Sequence, residues 1–221
     1  MDKKYTKKLE DVIKRMLQPL KGIPFNLVIE GISGNKVISF NPKNNKDKEL
    51  LQNLIKVAKK TAKEVNKVGI KRPRANEVGN DIELFVKKAL KKAGYKADIP
   101  ITPKGKKKST GYPDIEFIDK HKRSNYLECK TYNVENVSTT QRSFYLSPSN
   151  EFKVTKDAHH FVISFEVYIS GRRNQNNVYK CKSWKIIDIT HLYVDVKYEF
   201  QSDNKRLYAK NLILAEGNIG S

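Results

Sequence analysis

Apolar residues recur at helical spacing from the start of the chain. Leu9, Val12, Ile13, Met16 and Leu17 share one face, which predicts a helix over residues 3–18. The character changes between Phe25 and Phe40, where two β-rich runs, NLVIEGI and KVISF, flank Ser33-Gly34-Asn35 and predict a hairpin. A second helix is predicted over about 48–67, ending before Gly69 and the break at Pro73. The most regular stripe covers 75–93: Val78, Ile82, Phe85, Val86, Ala89, Leu90 and Ala93 line one side, and Gly94 stops the helix. Beyond it the period drops from about 3.6 to 2. Short strands are predicted at 96–101, 112–119 and 125–132, then a polar loop, a short helix near 154–160 and a strong strand over 161–169. KSWKIIDI, YVDVKYEF and RLYAKNLIL read as further strands. This order predicts an α/β (α+β) fold: a mixed central sheet flanked by helices, with helices and a hairpin added at the N-terminal end and strands at the C-terminal end. No internal repeat or long linker interrupts the 221 residues, which predict a single domain with its core at about 75–169 and extensions at 1–70 and 175–221.

Charge narrows the partners. Lys and Arg number 44 against 24 Asp and Glu, a formal balance of +20, and the pI is near 9.8. Such an excess repels itself, and a polyanion relieves it. Nucleic acid leads, because each neutralised phosphate releases a condensed counterion. A lysine-rich proteome accounts for part of the lysine count but would add Glu as well. MDKKYTKKLEDVIKRML lacks the apolar core of a secretory signal, and no stretch nears the roughly 20 apolar residues of a membrane span. The expectation is a soluble intracellular protein with no membrane partner. Cys129 and Cys181 lie far apart in apolar runs and read as reduced thiols.

Two neighbouring runs carry the candidate chemistry. In Gly111-Tyr112-Pro113-Asp114-Ile115-Glu116-Phe117-Ile118, strand alternation puts Asp114 and Glu116 on one face and Ile115 and Phe117 on the other. In Asn125-Tyr126-Leu127-Glu128-Cys129-Lys130, Glu128 and Lys130 share a face, with Leu127 and Cys129 opposite. The link is short enough for an antiparallel hairpin. A turn centred near Lys122 sets Asp114 opposite Lys130 and Glu116 opposite Glu128, so carboxylates and one ammonium crowd a single patch. Carboxylates that close repel unless a cation lies among them, and a hard divalent ion such as Mg2+ takes oxygen ligands of this kind. Lys130 would orient or help deprotonate an attacking water and offset charge on the phosphate. A solvated sheet face with alternating charge is the plainer reading of any one of these residues; the combination favours chemistry.

Pro113-Asp114, a gap, then Glu128-Cys129-Lys130 resembles the signature of the PD-(D/E)xK nuclease superfamily. The resemblance implies an αβββαβ core like that of restriction endonucleases, here residues 75–169, with Asp114, Glu128 and Lys130 catalytic and Asp114 and Glu128 binding Mg2+. Arg74-Ala75-Asn76-Glu77-Val78-Gly79-Asn80-Asp81-Ile82-Glu83 is similar to the first core helix of several type II restriction endonucleases, which implies Glu83 as a further metal ligand, with Glu77 as its rival. Glu116 is another candidate, from the strand. A restriction-type resemblance also implies double-stranded DNA as partner, a homodimer matching a symmetric site, no small-molecule organic cofactor, and the cytoplasm of a prokaryotic cell.

DNA contact is expected from two polar segments. Within Asn133 to Lys156, Gln141 and Arg142 suit base edges or phosphate, and Lys153 and Lys156 suit phosphate. Lys106 and Lys107, in the loop before Asp114, can clamp the backbone, although an ordinary solvated loop explains them equally well. His159-His160 has no partner at zinc-ligand spacing. Three functions are weighed: a sequence-specific restriction endonuclease leaving 5′-phosphate and 3′-hydroxyl ends, a structure- or damage-directed repair or recombination nuclease of the same fold, and a non-catalytic basic nucleic-acid-binding module. The Asp, Glu and Lys set argues against the last, since a pure binder has no reason to turn carboxylates toward phosphate.

Overall fold

The structure, a computed structural model, describes residues 2–16, 18, 20–133, 138, 143–149, 151–197 and 202–214. In chain order the elements are α1 (Lys3–Met16), β1 (Ile23–Pro24), α2 (Phe25–Ser33), α3 (Asn45–Val68), β2 (Ile70–Arg72), a 3₁₀ turn (Ala75–Glu77), α4 (Val78–Lys92), β3 (Lys96–Asp98), β4 (Ile115–Ile118), β5 (Ser124–Tyr132), β6 (His159–Arg173), β7 (Asn176–Asp188), β8 (Tyr193–Val194) and α5 (Asn204–Leu207). The chain divides into two compact units, residues 1–22 with 194–221, and residues 23–193. The smaller contains α1, none of whose residues is buried, and α5. Among the described residues no helix is long and apolar enough to cross a membrane.

The larger unit is built on one mixed sheet of six strands in the order β2-β7-β6-β5-β4-β3. β5 and β6 run parallel, and the other neighbours are antiparallel. Helices α3 and α4 cover one face because their stripes of Leu50, Leu54 and Val57, and of Val78, Ile82 and Val86, meet Ile115, Phe117, Leu127, Cys129 and Phe161. The opposite face is also covered: Phe25 and Ile29 of α2 pack with Tyr112, Tyr126, Val162, Phe152 and Val154. Both faces are therefore covered around the middle of β5 and the first half of β6, while β3, β7 and the end of β6 keep exposed residues. α3 starts with Asn44, whose side chain accepts from the Lys46 amide at 2.8 Å. It ends at Gly69, with φ +67° and a position where a Cβ would lie 2.5 Å from Val178; a side chain there would block β2 from reaching β7.

Two predicted elements give way to others, and one contact links them. The 25–40 hairpin is absent: residues 25–33 are helical, with Phe25 and Ile29 buried four positions apart, Leu27 exposed, and Gly34 closing the helix at φ +72°. β-branched residues favour strands only weakly, and burial at helical spacing overrides them. The second run, around Val37, bridges Ala158 instead: Ile38 N–H donates to the Ala158 carbonyl at 2.8 Å, and Ala158 N–H to that of Lys36 at 3.1 Å. That contact occupies the backbone where the 154–160 helix was predicted. Val154 and Ala158 are buried at helical spacing in an irregular run, and β6 has already begun at His159. The core thus follows the αβββ order with a crossover that is not helical among its described residues. At the far end, 206–214 is not a strand: Asp203 caps α5, and exposed turns follow.

The β4–β5 turn sets the register. Asp119 Oδ1 accepts from the amides of His121 and Arg123 at 2.8 and 2.9 Å, and Lys122 takes φ +62°. This side-chain-built turn pairs Ile115 with Leu127 and Glu116 with Tyr126. The predicted pairs were two positions off, so every residue keeps its predicted face. Arg123 then bonds Asp119 at 2.7 Å and Asp47 of α3, and Asp47 also accepts the Asn41 amide at 2.8 Å.

Candidate active site

The observed register places Asp114, immediately before β4, beside Glu128 of β5. Asp114 Oδ2 accepts the Cys129 amide at 2.8 Å, and Lys130 Nζ lies 2.7 Å from Glu128 Oε1. Alternation along β5 turns Glu128 and Lys130 away from the α3–α4 core, as predicted. That face is only partly open, because the cluster of α2 with Tyr126 and Phe152 covers its Glu128 end, while Lys130 stays half-buried. Glu128 is 5% exposed, and its Oε2 has no hydrogen-bond partner among the described residues. A buried carboxylate oxygen left unpaired is costly unless a cation or proton takes it.

The electrostatics follow from that burial. Burial, then the Asp114 charge, pushes Glu128 up to about 7, with Lys130 opposing. Asp114 is raised, chiefly by burial, against the pull of the Cys129 amide, Lys130 and Lys153. Burial pulls Lys130 down, but the Glu128 charge and hydrogen bond prevail and keep it an ammonium. Its Nζ also stands 5.6 Å over the Tyr145 ring. Glu83, from α4, is half-buried within electrostatic range of Asp114: burial and then the Asp114 charge raise its carboxyl. Glu77 lies near enough to Arg72 for its charge to add slightly to the effect of Asp81 there.

The other predicted residues are dispersed. Glu116 pairs with Lys156 at 2.6 Å, and Lys107 with Asp98 at 2.5 Å; both pairs line an open groove of about 430 Å³ beside β3. Lys106 is exposed nearby, while Gln141 and Arg142 lie outside the described residues. Lys153 is 2% exposed, with its Nζ donating to the Lys108 carbonyl at 3.2 Å, and it interacts electrostatically with Asp114, Glu128 and Glu83. A lysine inside the site, like Tyr145 over Lys130, has no local sequence signal, because only the crossover brings it there. Tyr112 stacks on His160 and bonds its Nδ1 at 2.7 Å, which closes the floor of the site.

Asp114, Glu128 and Glu83 supply hard oxygen donors, and the unpaired Glu128 Oε2 suits a divalent cation. Among the described residues no three His, Cys, Asp or Glu side chains form a ready metal cage. Two carboxylates completed by waters and a phosphate is how magnesium is commonly held. The raised Glu128 gives a test. Its folded pKa exceeds the ordinary 4.5, so the folded protein holds an extra proton; that stabilisation is full below about pH 4.5 and is lost as pH rises through 7. Without metal, Glu128→Gln should therefore be more stable than the wild type at pH 8 by about 1–3 kcal/mol. Added Mg2+ should reverse the order by stabilising only the carboxylate form. Thermal unfolding of both proteins, with and without metal, checks it; identical midpoints at pH 8 would refute the buried charge.

The family model described as the type II restriction enzyme MjaV family matches residues 19–211. The type II restriction enzyme MjaV of Methanocaldococcus jannaschii is 40% identical over 233 aligned residues, covering 99% of this chain and 99% of its own. No solved structure matches. Matched across its sheet, its helices and both carboxylate-bearing strands, the chain belongs to the MjaV family of type II restriction enzymes.

Proposed function

We propose that this chain is a Mg2+-dependent endonuclease that hydrolyses both strands of double-stranded DNA at a specific sequence, with Asp114, Glu128 and Lys130 as its catalytic core. Membership in the family makes it a site-specific deoxyribonuclease, of a kind that generally uses divalent metal ions. One observation supports the assignment of the site: Glu128 is buried beside Asp114, with Oε1 salt-bridged to Lys130 and Oε2 unpaired among the described residues.

Asp114 and Glu128 would hold the metal, with Glu83 beside Asp114. Bound there, a divalent ion polarises the scissile phosphate and acidifies a water. The protein's own contribution is positioning. The Cys129 amide fixes Asp114, and the Tyr112–His160 floor excludes bulk water from Glu128. Lys130 remains an ammonium, so it donates a hydrogen bond to the attacking water or a phosphate oxygen instead of accepting a proton. Lys153, buried within electrostatic range, offsets the carboxylate charge. Cleavage leaving 5′-phosphate and 3′-hydroxyl ends, a homodimer that cuts one strand per subunit, and a place in the prokaryotic cytoplasm complete the reading.

The test is digestion of plasmid and phage DNA with Mg2+ and then with a chelator. Discrete fragments with magnesium and none with chelator are expected. Cutting confined to branched or damaged DNA would redirect the reading to repair, and binding without cleavage under any divalent metal would end it.

A further inference from the structure

On its β5 side the β6–β7 hairpin runs past its neighbour. The last β5–β6 pair is Tyr132 with Glu166, and β6 continues to Arg173, about 20 Å of strand. Because β5 and β6 run parallel, the extension leaves from the end of β5 that carries Lys130. The turn is Asn174-Gln175, with φ +48° and +62°. Two-residue turns with both angles positive belong to Asn-Gly and Gly-Gly; a glutamine there is sterically disfavoured. Among the described residues neither side chain bonds to another group in return. Strain retained without an internal partner points to an external one.

The residues around the turn have one chemistry. Arg172-Arg173-Asn174-Gln175-Asn176-Asn177 carry forked groups: arginine matches the guanine edge, and asparagine and glutamine match adenine. Among the described residues no carboxylate pairs with Arg172 or Arg173. The tip is braced as well. Arg172 Nε donates to Asn177 Oδ1 at 3.2 Å, and Asn177 Nδ2 to the Pro73 carbonyl at 3.3 Å. Arg72, one residue earlier, pairs with Asp81 of α4 at 2.6 Å. Gly79 of the same helix faces Thr131, the neighbour of Lys130.

We infer that the Arg173–Asn176 tip enters the major groove of the duplex held at the candidate active site and reads base edges there, so that this hairpin determines specificity. A two-stranded ribbon fits that groove. The inference rests on the endonuclease reading above. Asn174→Gly with Gln175→Gly tests it without endangering the fold, since glycine suits both positive angles and should leave the thermal midpoint equal or higher. Wild-type digestion maps the cleaved sequence; binding is then measured, with Ca2+ in place of Mg2+, to a duplex containing it and to a scrambled duplex. The ratio of the two affinities should fall at least tenfold in the double variant and in Arg173→Ala. A ratio within twofold of wild type overturns the inference while leaving the endonuclease reading intact, and so does a change of oligomeric state with the ratio unmoved. A wild type that yields no discrete fragments defeats both.

Discussion

Lys130→Ala and Asp114→Asn should each lower the rate of DNA cleavage by at least about 100-fold, with DNA affinity kept within a few-fold. Lys130 is salt-bridged to Glu128 at 2.7 Å, and its removal leaves a buried carboxyl without its directly bonded countercharge. That pushes Glu128 further toward its protonated form, so the variant loses both the ammonium that faces the phosphate and much of the metal-binding carboxylate at neutral pH. Lys130→Arg preserves charge but replaces a compact ammonium with a planar fork in a site walled by Tyr145 and Glu128, and should recover only part of the rate. Asp114→Asn keeps the shape and the bond from the Cys129 amide but removes half the charge that would hold a metal. Single-turnover cleavage of plasmid DNA with Mg2+, alongside binding measured with Ca2+, separates these effects. Full activity in either variant would remove that residue from the catalytic core.

The parts of the site legible in the sequence are those fixed by local geometry. Alternation alone puts Glu128 and Lys130 on one face, and the observed packing of Leu127 and Cys129 against α3 and α4 agrees. Asp114 required a register, and the prediction missed it by two positions because nothing marked Asp119 as the builder of the turn. An even slip keeps the face, so the constellation survived. Burial was not legible. A strand bearing Glu and Lys looks half-solvated, yet the cluster around α2 covers its Glu128 end, and α2 itself looked like a strand because NLVIEGI is rich in β-branched residues. Glu128 consequently titrates as a buried group, which no spacing rule reveals. Lys153 shows the same limit: in sequence it resembles an exposed phosphate contact, and only the fold buries it within electrostatic range of the carboxylates. The positive φ angles at Asn174 and Gln175 were equally silent, since neither residue is the glycine that usually announces such a turn.

Asp47→Ala should destabilise the protein by about 3 kcal/mol, a far larger effect than at any exposed ion pair. Asp47 is 2% exposed and joins three parts of the larger unit: Arg123 after the β4–β5 turn, the Asn41 amide before α3, and His159 at the start of β6, 3.6 Å away. Burial pulls its carboxyl upward, but the hydrogen bonds from Arg123 and Asn41 prevail and hold it below the ordinary range. Its folded pKa is therefore depressed, so its contribution is intact above about pH 3.8 and is lost as pH falls below that value. Alanine leaves the partly buried Arg123 with Asp119 alone and leaves the Asn41 amide unpaired, and removing one partner of a buried pair costs more than the pair itself contributes. For a chain of this size, a drop of roughly 6–12 °C in unfolding midpoint corresponds to that loss. Glu49→Ala is the control: Glu49 and its partners Lys120 and His121 are surface residues, and solvent screening leaves such pairs with little effect on stability. Urea unfolding of both variants at pH 7 decides the matter. If Asp47→Ala shifts the midpoint no more than Glu49→Ala, the Asp47–Arg123 tie does not hold α3 to the hairpin that carries Asp114 and Glu128.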